Sequence, residues 1–428
     1  MKSMGYYDGT TFDAGGLSGG VTTDAPALVE PLDEAVLDDT TPEFSWHSVL
    51  GAATYDIEIG ETLTGTPTAT GIATTSYTPD ALSDLTAYSW WVRAVNAGGG
   101  KGTWSAIRTF TVGVFSDSFN RADGASANGW SGGAIVSNKL VVTPSLGSEL
   151  LTDAGLESWA SATDLTSWAE VAVGSSSVNR EASVLHGGTY AARLDIDGSG
   201  STAQISQAVT AAVGVWLRDS VWLRGSGTNS AVLAASNGIP SGDLTVALTT
   251  SYVNTVCTRR VTGAFPSLII KRAAGLSASS SIYIDDVSRT AIPTATMLSV
   301  HDCLYANAAF QVDITRVVGT QTGIVQYKDA NNFVLVYLNG FGQLVIDTCI
   351  AGVYTQVASV NATYAAGATL KVNRNASQQY TVTYNGTALI SNQTILESAF
   401  DTATNWGVFT SYEGNTFDNV VYVADITT

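Results

Sequence analysis

Phe333-Val334-Leu335-Val336-Tyr337-Leu338 running into Asn339-Gly340, and Gln379-Tyr380-Thr381-Val382-Thr383-Tyr384 running into Asn385-Gly386, decide the fold. Each run is rich in β-branched and aromatic residues. Each is answered by a returning run, Gln343-Leu344-Val345-Ile346 and Thr387-Ala388-Leu389-Ile390. Asn-Gly between such runs is a strong hairpin signal, because both residues accept positive φ. Phe417-Asp418-Asn419-Val420-Val421-Tyr422-Val423 closes the segment as another strand. An opening strand is missing, and its best match lies far upstream. Val114-Phe115-Ser116-Asp117-Ser118-Phe119, followed by Gly129-Trp130 and Lys139-Leu140-Val141-Val142, has the same character. Segments 114–145 and 294–428 therefore read as two parts of one β-sandwich, with 146–293 inserted between them.

Working outward, residues 26–113 show short, evenly spaced strands: Phe44-Ser45-Trp46, Tyr55-Asp56-Ile57-Glu58-Ile59, Tyr88-Ser89-Trp90-Trp91-Val92-Arg93 and Arg108-Thr109-Phe110-Thr111-Val112. That spacing predicts a small sandwich. Residues 1–25 read as an N-terminal arm, with Tyr6, Tyr7 and Phe12 as its aromatics. The arm is either a flexible tail or an anchor that orders on assembly. The fold class is all-β, with three β-sandwich domains, one inserted into another.

The chain has 428 residues, 45% hydrophobic but only 13% charged. Its polar surface is mostly Ser, Thr, Asn and Gly, which suits sandwiches with many turns. A formal charge of −18 repels phosphate backbones and anionic lipid, so no nucleic acid and no membrane insertion are expected. Neutral glycans, cations and basic protein surfaces suit that charge. Cys257, Cys303 and Cys349 read as free buried thiols. Cys303 and Cys349 share a predicted domain, so their pairing is the other reading. Met1 to Gly20 shows no apolar signal region, which favours assembly inside a cell and release by lysis.

Three family resemblances follow from these motifs. Asp117-Ser118-Phe119-Asn120-Arg121-Ala122-Asp123-Gly124, Tyr327-Lys328-Asp329-Ala330-Asn331-Asn332-Phe333, Tyr384-Asn385-Gly386-Thr387 and Phe417-Asp418-Asn419-Val420 resemble concanavalin-like (laminin-G-like) jelly rolls. Trp46, Ala53-Thr54-Tyr55, Leu82 with Tyr88, and Trp104-Ser105 resemble a fibronectin type III domain. That resemblance implies a spacer in which Trp46, Tyr88 and Trp90 are core or corner residues. Glu149-Leu150-Leu151, Gly155-Leu156-Glu157, Leu185-His186-Gly187-Gly188-Thr189-Tyr190 and Tyr283-Ile284-Asp285-Asp286-Val287 resemble carbohydrate-binding jelly rolls. This last resemblance implies a structural Ca2+ near Glu157 and Asp285, and ends that lie together, as insertion requires. Solvated turn acids are the alternative for the pair. Asp286 has the opposite strand parity to Asp285 and should face the other way.

Sugar stacking needs aromatic rings on an open face. Trp216, Trp222 and Tyr190 are the carbohydrate-binding candidates. Trp216 and Trp222 share parity in Val215-Trp216-Leu217-Arg218-Asp219-Ser220-Val221-Trp222-Leu223, while Leu217 and Leu223 fill the other parity. Such a strand reads as buried on both faces, so core packing is favoured for both tryptophans. No catalytic constellation is found. Glu-x-Asp-x-x-Glu is absent, and Asp56 with Glu58 reads as an exposed strand face of the spacer. His47, His186 and His301 lie near no Ser or Cys in a nucleophile turn. The expectation is a non-enzymatic virion-surface protein: a phage fibre, tail-tip or capsid-decorating subunit. It would be held to other virion subunits through the arm and the spacer domain, with the insert projecting from the arm, the insert and outer sandwich facing solvent, a cell-surface glycan met by the insert, and homo-oligomerisation compatible. An exported, extracellular bacterial adhesin, or the glycan-binding portion of a polysaccharide-degrading enzyme, is the alternative.

Overall fold

A computed structural model describes residues 24–125, 128–198, 202–227, 229–236, 242–263, 266–273 and 279–425. The anchoring role expected of residues 1–25 falls almost wholly outside them. The fold is all-β: the described elements are strands apart from two short 3-10 turns, Thr294–Met297 and Ser398–Thr402. Two compact units divide the chain after Phe115.

In the first unit, a three-stranded sheet of Leu28–Glu30, Phe44–Trp46 and Ser76–Tyr77 accompanies a six-stranded sheet built around Ala87–Val95. Phe44, Trp46, Ile57, Trp90, Val92 and Phe110 fill the core. Alternation along Ala87–Val95 sets this up, with Trp90, Val92 and Ala94 inward. Tyr88 turns its hydroxyl back to accept the Ser83 amide at 3.0 Å, a corner tie. Asp56 and Glu58 depart from the exposed face expected of them: both are buried. Asp56 takes the Arg93 guanidinium at 2.9 Å. Glu58 accepts the amides of Thr64 and Gly65 and the Trp91 indole N–H. Trp91 and Trp104 stack at 4.8 Å, and Arg93 lies 4.4 Å over Trp104. The aromatic layer roofs over carboxylates that alternation alone assigns to solvent.

In the second unit, Gly124–Ala125, Ala134–Val136 and Lys139–Val141 join strands from beyond residue 300 in one nine-stranded sheet. Leu140 faces Phe417 across the join. A six-stranded sheet packs on it, carrying Asn332–Leu338 in its interior. Asn385 and Gly386 take φ of 48° and 76° between Tyr384 and its partner Thr387, the two-residue turn expected. Asn339-Gly340 turns differently. Its loop runs four residues, Gly342 takes the positive φ, and the Asn339 side chain accepts the Phe341 and Gln343 amides.

Segment 146–293 builds two further five-stranded sheets, one including Ala191–Ile196, Trp216–Gly225 and Ser280–Ile292. Leu194, Val221, Leu223, Ile282 and Ile284 from this sheet meet Ile205, Leu233, Leu268 and Ile270 from the other. The chain enters and leaves side by side, with the Gly147 amide donating to the Ala291 carbonyl at 2.8 Å. This sandwich does not merely project. Trp216 and Ile292 sit in one cluster with Met297, Tyr337 and Phe409 of the surrounding sandwich. Arg260 pairs with buried Asp347, and Arg218 with Glu413. Asn332–Leu338 is therefore buried on both faces: Leu335 and Tyr337 lie in that cluster, and Val334 and Val336 on the other parity are buried too. All three cysteines are free and buried. Burial pushes the Cys257 thiol up to about 11, so it has no thiolate character at neutral pH.

Candidate functional site

Trp216–Gly225 organises the site. Leu217, Asp219, Val221 and Leu223 point into the insert core, so Trp216, Arg218, Ser220, Trp222 and Arg224 share the outer face. The surrounding sandwich covers the first end of that face. Trp216 is 1% exposed and packs edge-on to Tyr337, so it cannot stack on a sugar. The carbohydrate assignment of Trp216 is thus corrected to a role joining the two sandwiches. Buried Arg259, Arg289 and Asp219 form an ion cluster on the inward parity, between the layers.

The second end of the outer face is open. Cross-strand register places Arg224 opposite Tyr283, Tyr283 opposite Arg193, and Arg193 opposite Asn179. Opposed residues in antiparallel pairs project from the same face, so these four form one row across four strands. Arg224 lies 5.5 Å over the Tyr283 ring, and its Nε is buried without a hydrogen-bond partner. Arg193 donates to Asp195 at 2.9 Å and to Glu181 at 2.7 Å. Asp195 also accepts from Asn179 and Ser281. Burial pushes the Glu181 carboxyl up, but the Ser183 and Val184 amides and Arg193 outweigh it, and the net shift is downward. Glu181 is thus held as an ion-pair acceptor, and Asp195 meets the same guanidinium at 2.9 Å. The row offers an aromatic ring flanked by guanidinium and amide donors, which suits a ligand with an apolar ring face and a rim of hydroxyls.

Trp222 lies on the same face, one row along, opposite Asp285. Its indole stacks on His186, whose Nδ1 is 2.6 Å from an Asp286 oxygen. Tyr190 continues the parity of core residues Ala192 and Leu194, away from Trp222, with Arg180 4.6 Å over its ring. The three aromatic candidates are therefore not brought together. Sequence reasoning missed Tyr283, Arg193, Arg224 and Asn179. Alternation in Ser281-Ile282-Tyr283-Ile284 does set Tyr283 opposite to the apolar pair, but its neighbours come from strands whose register is not written locally.

Glu157 and Asp285 both serve the loop that carries His186 to Tyr190. Glu157 accepts the Thr189 and Tyr190 amides at 2.8 and 3.0 Å. Asp285, fully buried, accepts the His186 and Gly187 amides at 2.7 and 3.1 Å, and burial raises its pKa. Asp286, at φ 43°, sits at an irregularity in the pairing opposite Val221, and its carboxyl meets the same His186–Gly187 loop as Asp285; the alternation that should turn the two acids to opposite faces is broken there. No group of three or more His, Cys, Asp or Glu side chains stands together for an ion among the described residues. The expected calcium pair, Glu157 and Asp285, thus clamps backbone amides of one loop from two sides.

No family model and no curated protein matches this chain. Solved structures do. A carbohydrate-binding module solved in complex with β-1,4-galactotriose is 20% identical, covering 33% of this chain and 98% of its own, with a TM-score of 0.28. An Fn3-like protein from Clostridium thermocellum is 29% identical, covering 21% and 92%, with a TM-score of 0.18. A family 11 carbohydrate-binding module from Clostridium thermocellum, in complex with a β-1,3-1,4-mixed-linked tetrasaccharide, is 13% identical, covering 34% and 96%, with a TM-score of 0.25. Likenesses of this size assign neither a ligand nor an activity.

Proposed function

We propose that this protein is a non-catalytic glycan-binding protein whose contact face is the open end of the sheet carrying Trp216–Gly225. The row Asn179, Arg193, Tyr283 and Arg224 carries this reading. Tyr283 supplies the ring for a pyranose face, and the flanking groups address hydroxyls. The acids beside it, Glu181 and Asp195, are both engaged by Arg193, and Glu181 is pushed below its ordinary value, which does not suit a proton donor to a glycosidic oxygen. A glycan array probed with the full chain and with Tyr283→Ala tests the reading. Retained binding with unchanged affinity in the variant removes it, and sugar release by the unmutated chain removes the non-catalytic part.

For the setting, we propose a virion surface, as a fibre, tail-tip or capsid-decorating subunit. The support is the series of spacer-like and lectin-like sandwiches read from the sequence, with the arm as the tether. Mass spectrometry of purified particles checks it. Absence from particles, with secretion or hydrolase genes adjacent, would favour an exported adhesin or the binding portion of an enzyme.

A further inference from the structure

Where the inserted sandwich meets the surrounding one, a half-open cavity of about 50 Å³ remains. Arg259 and Arg260 line it from the insert, and Tyr337 and Phe341 from the surrounding sandwich. Exposed Gln356 and half-buried Gln343 stand on its wall as well. Two lining residues are arginines and none is acidic. Arg259 and Arg260 are only 2% and 7% exposed.

Counted with Arg289, which does not line the cavity but shares Asp219 with Arg259, the buried charges do not cancel. Asp219 is shared by Arg259, at 3.3 Å, and Arg289, at 2.6 Å. Asp347 is paired with Arg260 alone, through Nη2 at 2.9 Å, and also accepts the Tyr337 hydroxyl at 2.8 Å. Three guanidinium groups therefore face two carboxylates in this set. A buried excess cation is costly unless an anion joins it. Phe341 lies 5.1 Å under the Arg259 guanidinium and gives the cavity an apolar wall. A space of this size exceeds the roughly 10–15 Å³ one water needs, and so accommodates several waters or an acetate-sized group.

We propose that this cavity binds a small carboxylate, either a free organic acid or the acid end of a sugar acid. The carboxylate sits on the Arg259 and Arg260 side, and its carbon skeleton lies against Phe341 and Tyr337. This site is separate from the Tyr283 row, and its ligand bridges the two sandwiches.

Calorimetric titration of the full chain with acetate, with glucuronate and with chloride at matched ionic strength tests the proposal. Saturable millimolar binding of acetate or glucuronate, but not of chloride, supports it. Acetate alone points to a free acid, and glucuronate alone to a sugar acid. Equal heats for chloride, or saturation by none of the three, overturn it. Arg260→Gln should abolish binding. If that variant fails to fold, Gln356→Glu, at an exposed position, should weaken binding roughly fivefold by adding a like charge at the cavity. Unchanged affinity in Gln356→Glu and in any folded Arg260→Gln protein overturns the assignment.

Discussion

The Trp222 indole lies flat on the His186 ring, with centroids 3.7 Å apart and planes inclined by 18°. Tyr252 meets the same imidazole edge-on at 5.7 Å. One face of Trp222 is thereby spent inside the protein. Among the described residues Tyr283 has no aromatic partner of this kind; the Arg224 guanidinium lies over its ring. In the glycan-binding reading, Trp222 is then a support and Tyr283 the platform.

Glycan affinity should follow that division. Tyr283→Ala should raise Kd roughly tenfold or more, a loss of about 1.4 kcal/mol or greater. His186→Ala should leave Kd within roughly twofold, since it frees a ring without removing the platform. The measurement is titration of one glycan, chosen from the array, against both variants. The opposite ranking would move the site to Trp222.

The loop from His186 to Tyr190 should be sensitive to volume and insensitive to chelators. A methyl group at Gly188 would lie 1.6 Å from a Glu157 oxygen, at a backbone φ of +62°. Gly188→Ala must therefore release Glu157 from the Thr189 and Tyr190 amides, costing about 1–3 kcal/mol. Thermal melts of the full chain with and without EDTA check the other half. Because amides satisfy both carboxylates, the expected melting temperature is unchanged. A chelator-dependent fall that Asp285→Ala abolishes would establish the calcium expected from the family resemblance.

In the first unit, Glu58 should act as a pH-dependent tie. Burial pushes its carboxyl up, but the Thr64 amide, Trp91 indole N–H, Thr64 hydroxyl and Gly65 amide outweigh this, and the net shift is downward. A lowered folded-state pKa means the native state binds fewer protons than the unfolded one. Its stabilisation is complete above the unfolded glutamate value and is lost as pH falls through the folded value. Glu58→Gln should cost about 1.5–3 kcal/mol locally, as a lost charged hydrogen bond does. Protection factors at Thr64 and Gly65 should fall accordingly, and their dependence on pH should disappear. Unchanged exchange would mean the tie carries no local stability.

Much of this architecture was legible because short-range chemistry dictates it. Asn385-Gly386 turns as two residues of positive φ must, and alternation places Trp90, Val92 and Ala94 inward. Asn339-Gly340 shows the limit. The same dipeptide uses its asparagine side chain to cap a longer loop, and a following glycine takes the strained angle. Parity also divided Trp216 from Leu217 correctly. It could not say that another sandwich covers Trp216 while the same face opens at Arg224, since that depends on contacts between segments far apart in sequence. Asp56 and Glu58 defeated the reading for a related reason: their cover comes from Trp91, Arg93 and Trp104 on other strands.

The seam between the sandwiches should make them stand or fall together. Insertion through adjacent ends alone would let 146–293 be removed without cost to its host. Deleting 147–291 would instead strip Trp216 from Tyr337 and Phe409, and Arg260 from Asp347. Asp347 is fully buried, and removing one partner of a buried ion pair costs about 3–5 kcal/mol. Losing a buried Trp adds about 3–5 kcal/mol. Together these approach the whole stability of an ordinary domain, about 5–15 kcal/mol. The deletion product should therefore bind a hydrophobic dye and be cut rapidly by protease. Trp216→Ala in the full chain should lower the denaturation midpoint of both sandwiches in one transition. Two separated transitions, or a deletion product with native strand content and protease resistance, would show that the host folds without its insert.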